Sequence, residues 1–143
     1  MGLNMQARKQ RRLARKVSLQ VLYCSEVANI SVNDILSGEV AIPEIDEIDT
    51  YAVELIEGTN SKIDELDKIL DDVSENWSIE RMPIVDKCLL RQTVYEMLYK
   101  EDIPVSVSIN EAVELAKQFC AEDDSHKYVN GVLGKIARQN EKE

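Results

Sequence analysis

One histidine, three cysteines, three prolines and five glycines are spread over 143 residues, and each scarcity removes a class of explanation. With so few chain breakers, long helices are permitted and a turn-rich β architecture is disfavoured. Cys24, Cys88 and Cys120 are odd in number and far apart, with no histidine at ligand spacing. They read as buried thiols in a reducing compartment, and no metal site is expected. His126 has no serine or cysteine nucleophile partner and reads as a capping or surface side chain. There is no Gly-rich phosphate loop and no dinucleotide fingerprint, and the carboxylates are dispersed on helical faces. Neither a cofactor nor catalysis is therefore expected. No apolar run approaches the roughly 18 residues of a membrane span, and the charged N-terminus lacks a following signal-peptide core. The expected location is the cytoplasm.

What is present is apolar content, 44% of the chain, and an unevenly placed charge. The chain has 27 acidic and 17 basic residues, a net charge of −10. Arg8, Lys9, Arg11, Arg12, Arg15 and Lys16 all precede the first carboxylate, Glu26. That opening segment carries +6, and the remaining 11 cations and 27 acids carry −16. Such asymmetry predicts a polyanion or an acidic surface as the partner of the N-terminus.

Apolar periodicity predicts helices throughout. The first runs from about Met5 to Ala28, with Ala14, Val17, Val21, Cys24 and Ala28 on its core face and Arg8, Arg11, Arg12 and Arg15 together on another. Their mutual repulsion favours fraying of its first two turns. Val32, Ile35 and Leu36 predict a short helix before a loop marked by Gly38 and Pro43. Ala52 to Val73 keeps one helical period through Gly58, which predicts a single long helix with an acidic, solvated side. Trp77 is expected to anchor the boundary between two halves, and Ser78 to cap a short turn before Pro83. Ile84 to Lys100 is apolar around most of its circumference and predicts a central helix. Ser108 and Glu111 stand at capping-box spacing, which makes them, with Asn110, a helix start. Glu122 to Ser125 opens a last helix whose core stripe is Val129, Val132, Leu133 and Ile136. The expectation is an all-α fold of six or seven helices in two small packed bundles, about residues 5–75 and 76–138, within one domain over 1–143.

Arginine enrichment in the first helix favours phosphate, since a guanidinium binds two oxygens at once. Membrane attachment is disfavoured, because the apolar stripe of that helix continues into a core stripe. Nucleic acid is the leading partner, with Tyr23 and Tyr128 as conceivable stacking rings. The alternative is a helical protein-interaction module whose basic helix docks an acidic protein.

Four blocks in order extend this reading. Arg11-Arg12-Leu13-Ala14-Arg15-Lys16 with Leu19-Gln20-Val21-Leu22-Tyr23 resembles the opening of the NusB transcription antitermination family. Trp77 with Arg81, then Asp86-Lys87-Cys88-Leu89-Leu90-Arg91 and Tyr95-Glu96, resembles its middle. Ile109 to Lys117 and Ser125 to Leu133 resemble its two C-terminal signatures. The resemblance implies a non-enzymatic, two-bundle helical protein that binds single-stranded boxA-type leader RNA during ribosomal RNA transcription. It implies a heterodimer with NusE, the ribosomal protein of the small subunit, docked on an RNA polymerase antitermination complex. The exposed apolar patches of a heterodimer subunit can also support a homodimer when it is unpartnered. Arg11, Arg12 and Arg15 would contact RNA phosphates, with Arg8 and Lys16 as neighbours. Asp124, Lys127 and Tyr128 would form a second RNA-proximal region, and Tyr23 and Asp86 would face NusE. Asp123-Asp124 makes that loop one residue longer than its common form, so either aspartate can take the family position. Leu13, Tyr128 and Gly134 stand where arginine, phenylalanine and aspartate are frequent.

Overall fold

A computed structural model describes residues 2–74 and 78–141, with the side chains of residues 5–74 and 78–140. Among the described residues all regular structure is helical. The elements are α1 (Gly2–Ala28), α2 (Val32–Leu36), α3 (Thr50–Ser61), α4 (Ile63–Val73), a 3-10 turn (Ile79–Arg81), α5 (Ile84–Tyr99), α6 (Val105–Phe119) and α7 (Ser125–Glu141). They form two compact units, Met1–Ser61 and Lys62–Glu143.

In the first unit α1 lies on α3, and α2 closes against both. Ala14, Leu19, Val21 and Leu22 of α1 are buried, as are Ala52, Leu55 and Ile56 of α3. Of the core face expected on α1, Ala14 and Val21 are buried, Val17 and Cys24 half-buried, and Ala28 exposed. Ala28 is exposed because α1 stops there. Asn29 turns left-handed, φ 55°, and the Ile30 N–H returns to the Ser25 carbonyl at 3.1 Å. A left-handed residue with that return bond ends a helix and satisfies a carbonyl that would otherwise be orphaned. The first two turns of α1 are helical despite their like charges.

The single helix expected from Ala52 to Val73 is two. The break is at Lys62 (φ −118°, ψ 19°), not at Gly58. Asp64 and Glu65 then occupy the first turn of α4, where carboxylates interact favourably with unpaired N–H groups. Leu66, Leu70 and Val73 are buried in the second unit, where α4 meets α5 and α7. For this reason the compact units divide at Ser61 and Lys62, ahead of the boundary read near Ser74 to Met82. Trp77 lies outside the described residues.

The second unit is built around α5, which contacts α4, α6 and α7. Leu89, Leu90 and Val94 are wholly enclosed, each contributing about 1.5–3 kcal/mol by burial. Its polar side chains are enclosed too, and two have been given dedicated partners. Arg91 makes a two-pronged bond to Asp67 of α4, both contacts at 2.7 Å. Glu96, 2% exposed, accepts from the Ser108 hydroxyl at 2.6 Å. That contact corrects the capping-box reading. Pro104 is the cap position of α6, so Ser108, Asn110 and Glu111 lie inside the helix and Ser108 points across to α5. Ser78 is likewise the cap residue of the 3-10 turn without a side-chain cap bond. The Ile79 N–H donates instead to Asp71 Oδ1 of α4, at 3.1 Å. The core stripe expected on α7, Val129, Val132, Leu133 and Ile136, is buried.

Candidate nucleic-acid interface

Helical spacing sorts the cations of α1 into two sets. Arg8, Arg12 and Lys16 recur every four residues; Arg8 and Arg12 are exposed, Lys16 is half-buried, and Lys9 is exposed beside them. Arg11 and Arg15, also four apart, continue through Ser18 and Leu22 into the core stripe. The Arg11 guanidinium sits 4.3 Å from the centroid of the Tyr51 ring of α3, and Arg15 is 6% exposed. The four arginines expected on one solvent-facing side are therefore divided. Two face outward, one caps an aromatic ring, and one is inside. A cation over a ring face is attracted by the ring quadrupole, so Arg11 is held against α3 through Tyr51.

The first turn of α7 assembles the second region. The Asp124 carbonyl accepts from the N–H groups of Lys127 and Tyr128, at 3.1 and 3.2 Å, which makes Asp124 the residue that opens the helix. Its carboxylate lies 3.7 Å from Lys127 Nζ, with both side chains largely solvent-exposed. Tyr128 is half-buried, and its hydroxyl is 2.7 Å from Ser74 Oγ at the end of α4. One helical turn thus brings Asp124, Lys127 and Tyr128 together, and the Tyr128 ring is tethered rather than loose. Ser74 carries no sequence motif that announces this contact.

The two residues expected to face a protein partner differ. Tyr23 on α1 is 42% exposed. Asp86 is wholly buried, contrary to a surface role in the isolated chain. It occupies the first turn of α5, where a carboxylate is favoured by the helix dipole, and neither oxygen has a hydrogen-bond partner. The Cys120 thiol, at the end of α6, is its neighbour without reaching hydrogen-bond geometry. Burial first, and then the adjoining carboxylate, push that thiol up to about 12. Cys88 is buried, whereas Cys24 and Cys120 are half-buried. Among the described residues no three His, Cys, Asp or Glu side chains are grouped to hold a metal ion, and no helix is long and apolar enough to cross a membrane.

The NusB family model matches residues 12–138, which include Arg12, Arg15 and Lys16 of the first region and all of the second. This chain belongs to the NusB family. It is 41% identical over 133 residues to the transcription antitermination protein NusB of Desulforudis audaxviator, covering 92% of this chain and 96% of that one. The Bacillus subtilis protein of the same name is 42% identical over 127 residues, covering 89% and 94%. Among solved structures, T. maritima NusB superposes with a TM-score of 0.78 at 31% identity, covering 90% of this chain and 91% of that one. A NusB in a complex described as antitermination factors NusB and NusE with double-stranded RNA gives 0.78 at 26% identity, covering 92% and 98%.

Proposed function

We propose that this NusB-family chain is a non-enzymatic transcription antitermination factor of the cytoplasm that holds boxA-type RNA together with NusE. The observation that carries the reading is the cationic stripe of exposed Arg8, Lys9 and Arg12 with half-buried Lys16 on an otherwise acidic chain, the last two within the residues that the family model matches. Phosphates supply sequence-independent affinity through that stripe, and Arg11 and Arg15 support it from beneath by fixing α1 in its unit. Lys127 adds a second cationic contact, Tyr128 presents a ring, and Asp124 orients Lys127. Toward NusE, Tyr23 offers an exposed ring. Asp86 is closed off in the chain alone, so its participation requires the start of α5 or the segment after Cys120 to move when the partner docks.

The test is a competition among boxA-type RNA, a scrambled RNA of equal length and an acidic polypeptide, each with and without NusE. Preference for boxA-type RNA that grows when NusE is present is the expected result. Stronger binding of the acidic polypeptide than of either RNA would overturn it in favour of a protein-docking module. Because Arg15 is buried and Lys16 half-buried, the informative charge reversal is the exposed set Arg8, Lys9 and Arg12 to glutamate, which should abolish RNA binding with the melting curve kept.

A further inference from the structure

We infer that Ser74 is a positioning residue for the RNA-contacting turn of α7, acting through the hydroxyl of Tyr128; the inference rests on the RNA-binding reading above. Ser74 follows α4 directly, in extended conformation with φ −86° and ψ 99°. Its backbone N–H is held by the Leu70 carbonyl at 3.0 Å, which fixes its place at the end of α4. Ser74 Oγ then meets the Tyr128 hydroxyl at 2.7 Å across a sequence separation of 54 residues. Tyr128 is held at both ends. Its N–H bonds the Asp124 carbonyl at 3.2 Å, and its ring tip bonds Ser74.

Two fixed points on one residue, its backbone N–H and its hydroxyl, restrict rotation of the first turn of α7, and Lys127 belongs to that turn. The Lys127 ammonium sits near Asp124 on a flexible exposed stem, so the direction it takes depends on how that turn is set. The α4 end of the tether is itself anchored. Asp71, three residues before Ser74, accepts from the Ile79 N–H at 3.1 Å, which secures the chain again beyond residues 75–77. A hydroxyl pair in a partly buried place is also directional in a way that packing of a phenyl ring is not. The tether thus adds orientation to a contact that an unsubstituted ring makes by apolar packing alone.

The experiment measures affinity for boxA-type RNA as a function of salt in wild-type protein, Ser74→Ala, Tyr128→Phe, the double variant and Ser74→Thr. Each removal of a hydroxyl should weaken binding by about three- to tenfold, the scale of one hydrogen bond. The double variant should be no worse than either single one, because both break the same contact. Ser74→Thr should restore affinity. The slope of log K against log salt should stay unchanged, since no phosphate contact is lost, whereas Lys127→Gln should reduce it by about 0.7. Full affinity in Ser74→Ala, losses that add, or a changed slope in Ser74→Ala would overturn the tether. A fall in melting temperature that Ser74→Thr leaves uncorrected would reassign Ser74 to stability and overturn it as well. Absence of salt-dependent RNA binding in wild-type protein would sink the RNA reading together with this one, while wild-type binding kept in all variants sinks this one alone.

Discussion

Arg12 and Arg15 are three residues apart on α1 and meet opposite surroundings, so alanine at each tests a different thing. Arg12→Ala should leave stability within about 0.5 kcal/mol and reduce the salt slope of RNA binding by about 0.7. Arg15→Ala, at a side chain 6% exposed and engaged with the fold, should cost about 1–3 kcal/mol of stability. Thermal melting beside RNA titration separates the two. Equal behaviour of the pair in both measurements would contradict the division of the cations. Cys120 makes a second residue-scale prediction. Its native thiol ionises near 12, above the usual value of 9.0 that applies once the chain unfolds. Between those pH values the unfolded chain loses a proton that the native chain keeps, so folding stability is complete below about 9 and declines as pH rises toward 12. Melting curves across that window should show a shallower decline in Cys120→Ala than in wild-type protein. Spacing alone placed Arg8, Arg11, Arg12 and Arg15 on one side, because an i, i+3, i+4, i+7 stripe spans an arc wide enough to straddle the edge of a core. Which half of the arc is covered depends on α3 and Tyr51, and no local pattern encodes that.

At the scale of elements, five of the seven helices were legible from apolar periodicity and capping chemistry to within a few residues, α2 and α7 included. The two capping misreadings share one cause: a locally plausible signal whose groups were claimed by a neighbouring helix. Ser108 and Glu111 have the spacing of a helix start, yet Ser108 belongs to Glu96 of α5. Ser108→Ala should therefore leave a buried carboxylate without that partner and cost about 1–3 kcal/mol, while Glu111→Ala should change stability by less than about 1 kcal/mol. Urea unfolding of the two variants is sufficient, and unchanged stability in Ser108→Ala would contradict a structural role for the Glu96 contact. The split at Lys62 had a signal that went unused, since Asp64 and Glu65 are the residues expected in a new first turn. An uninterrupted apolar period through Ala52 to Val73 outweighed it, because a one-residue break hardly disturbs a helical phase.

For the whole molecule, charge and family resemblance were legible where exposure was not. The +6 of the opening segment against −16 elsewhere follows from the order of residues. It predicts that RNA affinity falls with salt at a slope of about −3 if about four phosphates of a single strand are neutralised. Filter binding or fluorescence anisotropy across a salt series measures it, and a flat line would remove the electrostatic mechanism. Burial of Asp86 could not be read in the same manner, since an acidic residue at the start of a helix suits a surface and an interior equally until the surrounding helices are known. The tether between Ser74 and Tyr128 was hidden for a related reason. Two polar residues 54 positions apart have no sequence relation until α4 and α7 are placed together.

The enclosure of α5 also bears on how this chain can drift. A helix with one wet side tolerates many replacements there, but α5 carries Asp86, Arg91, Gln92 and Glu96 inside along with its aliphatic residues. Each of its turns holds a side chain that cannot be exchanged alone without stranding a charge or opening a void. Change along α5 is therefore confined to coordinated steps, such as Arg91 together with Asp67, while exposed positions of α1 such as Arg8 and Lys9 can vary one residue at a time. A scan of all single substitutions for folded protein should show α5 as a nearly unbroken band of intolerance and the Arg8 and Lys9 positions as permissive.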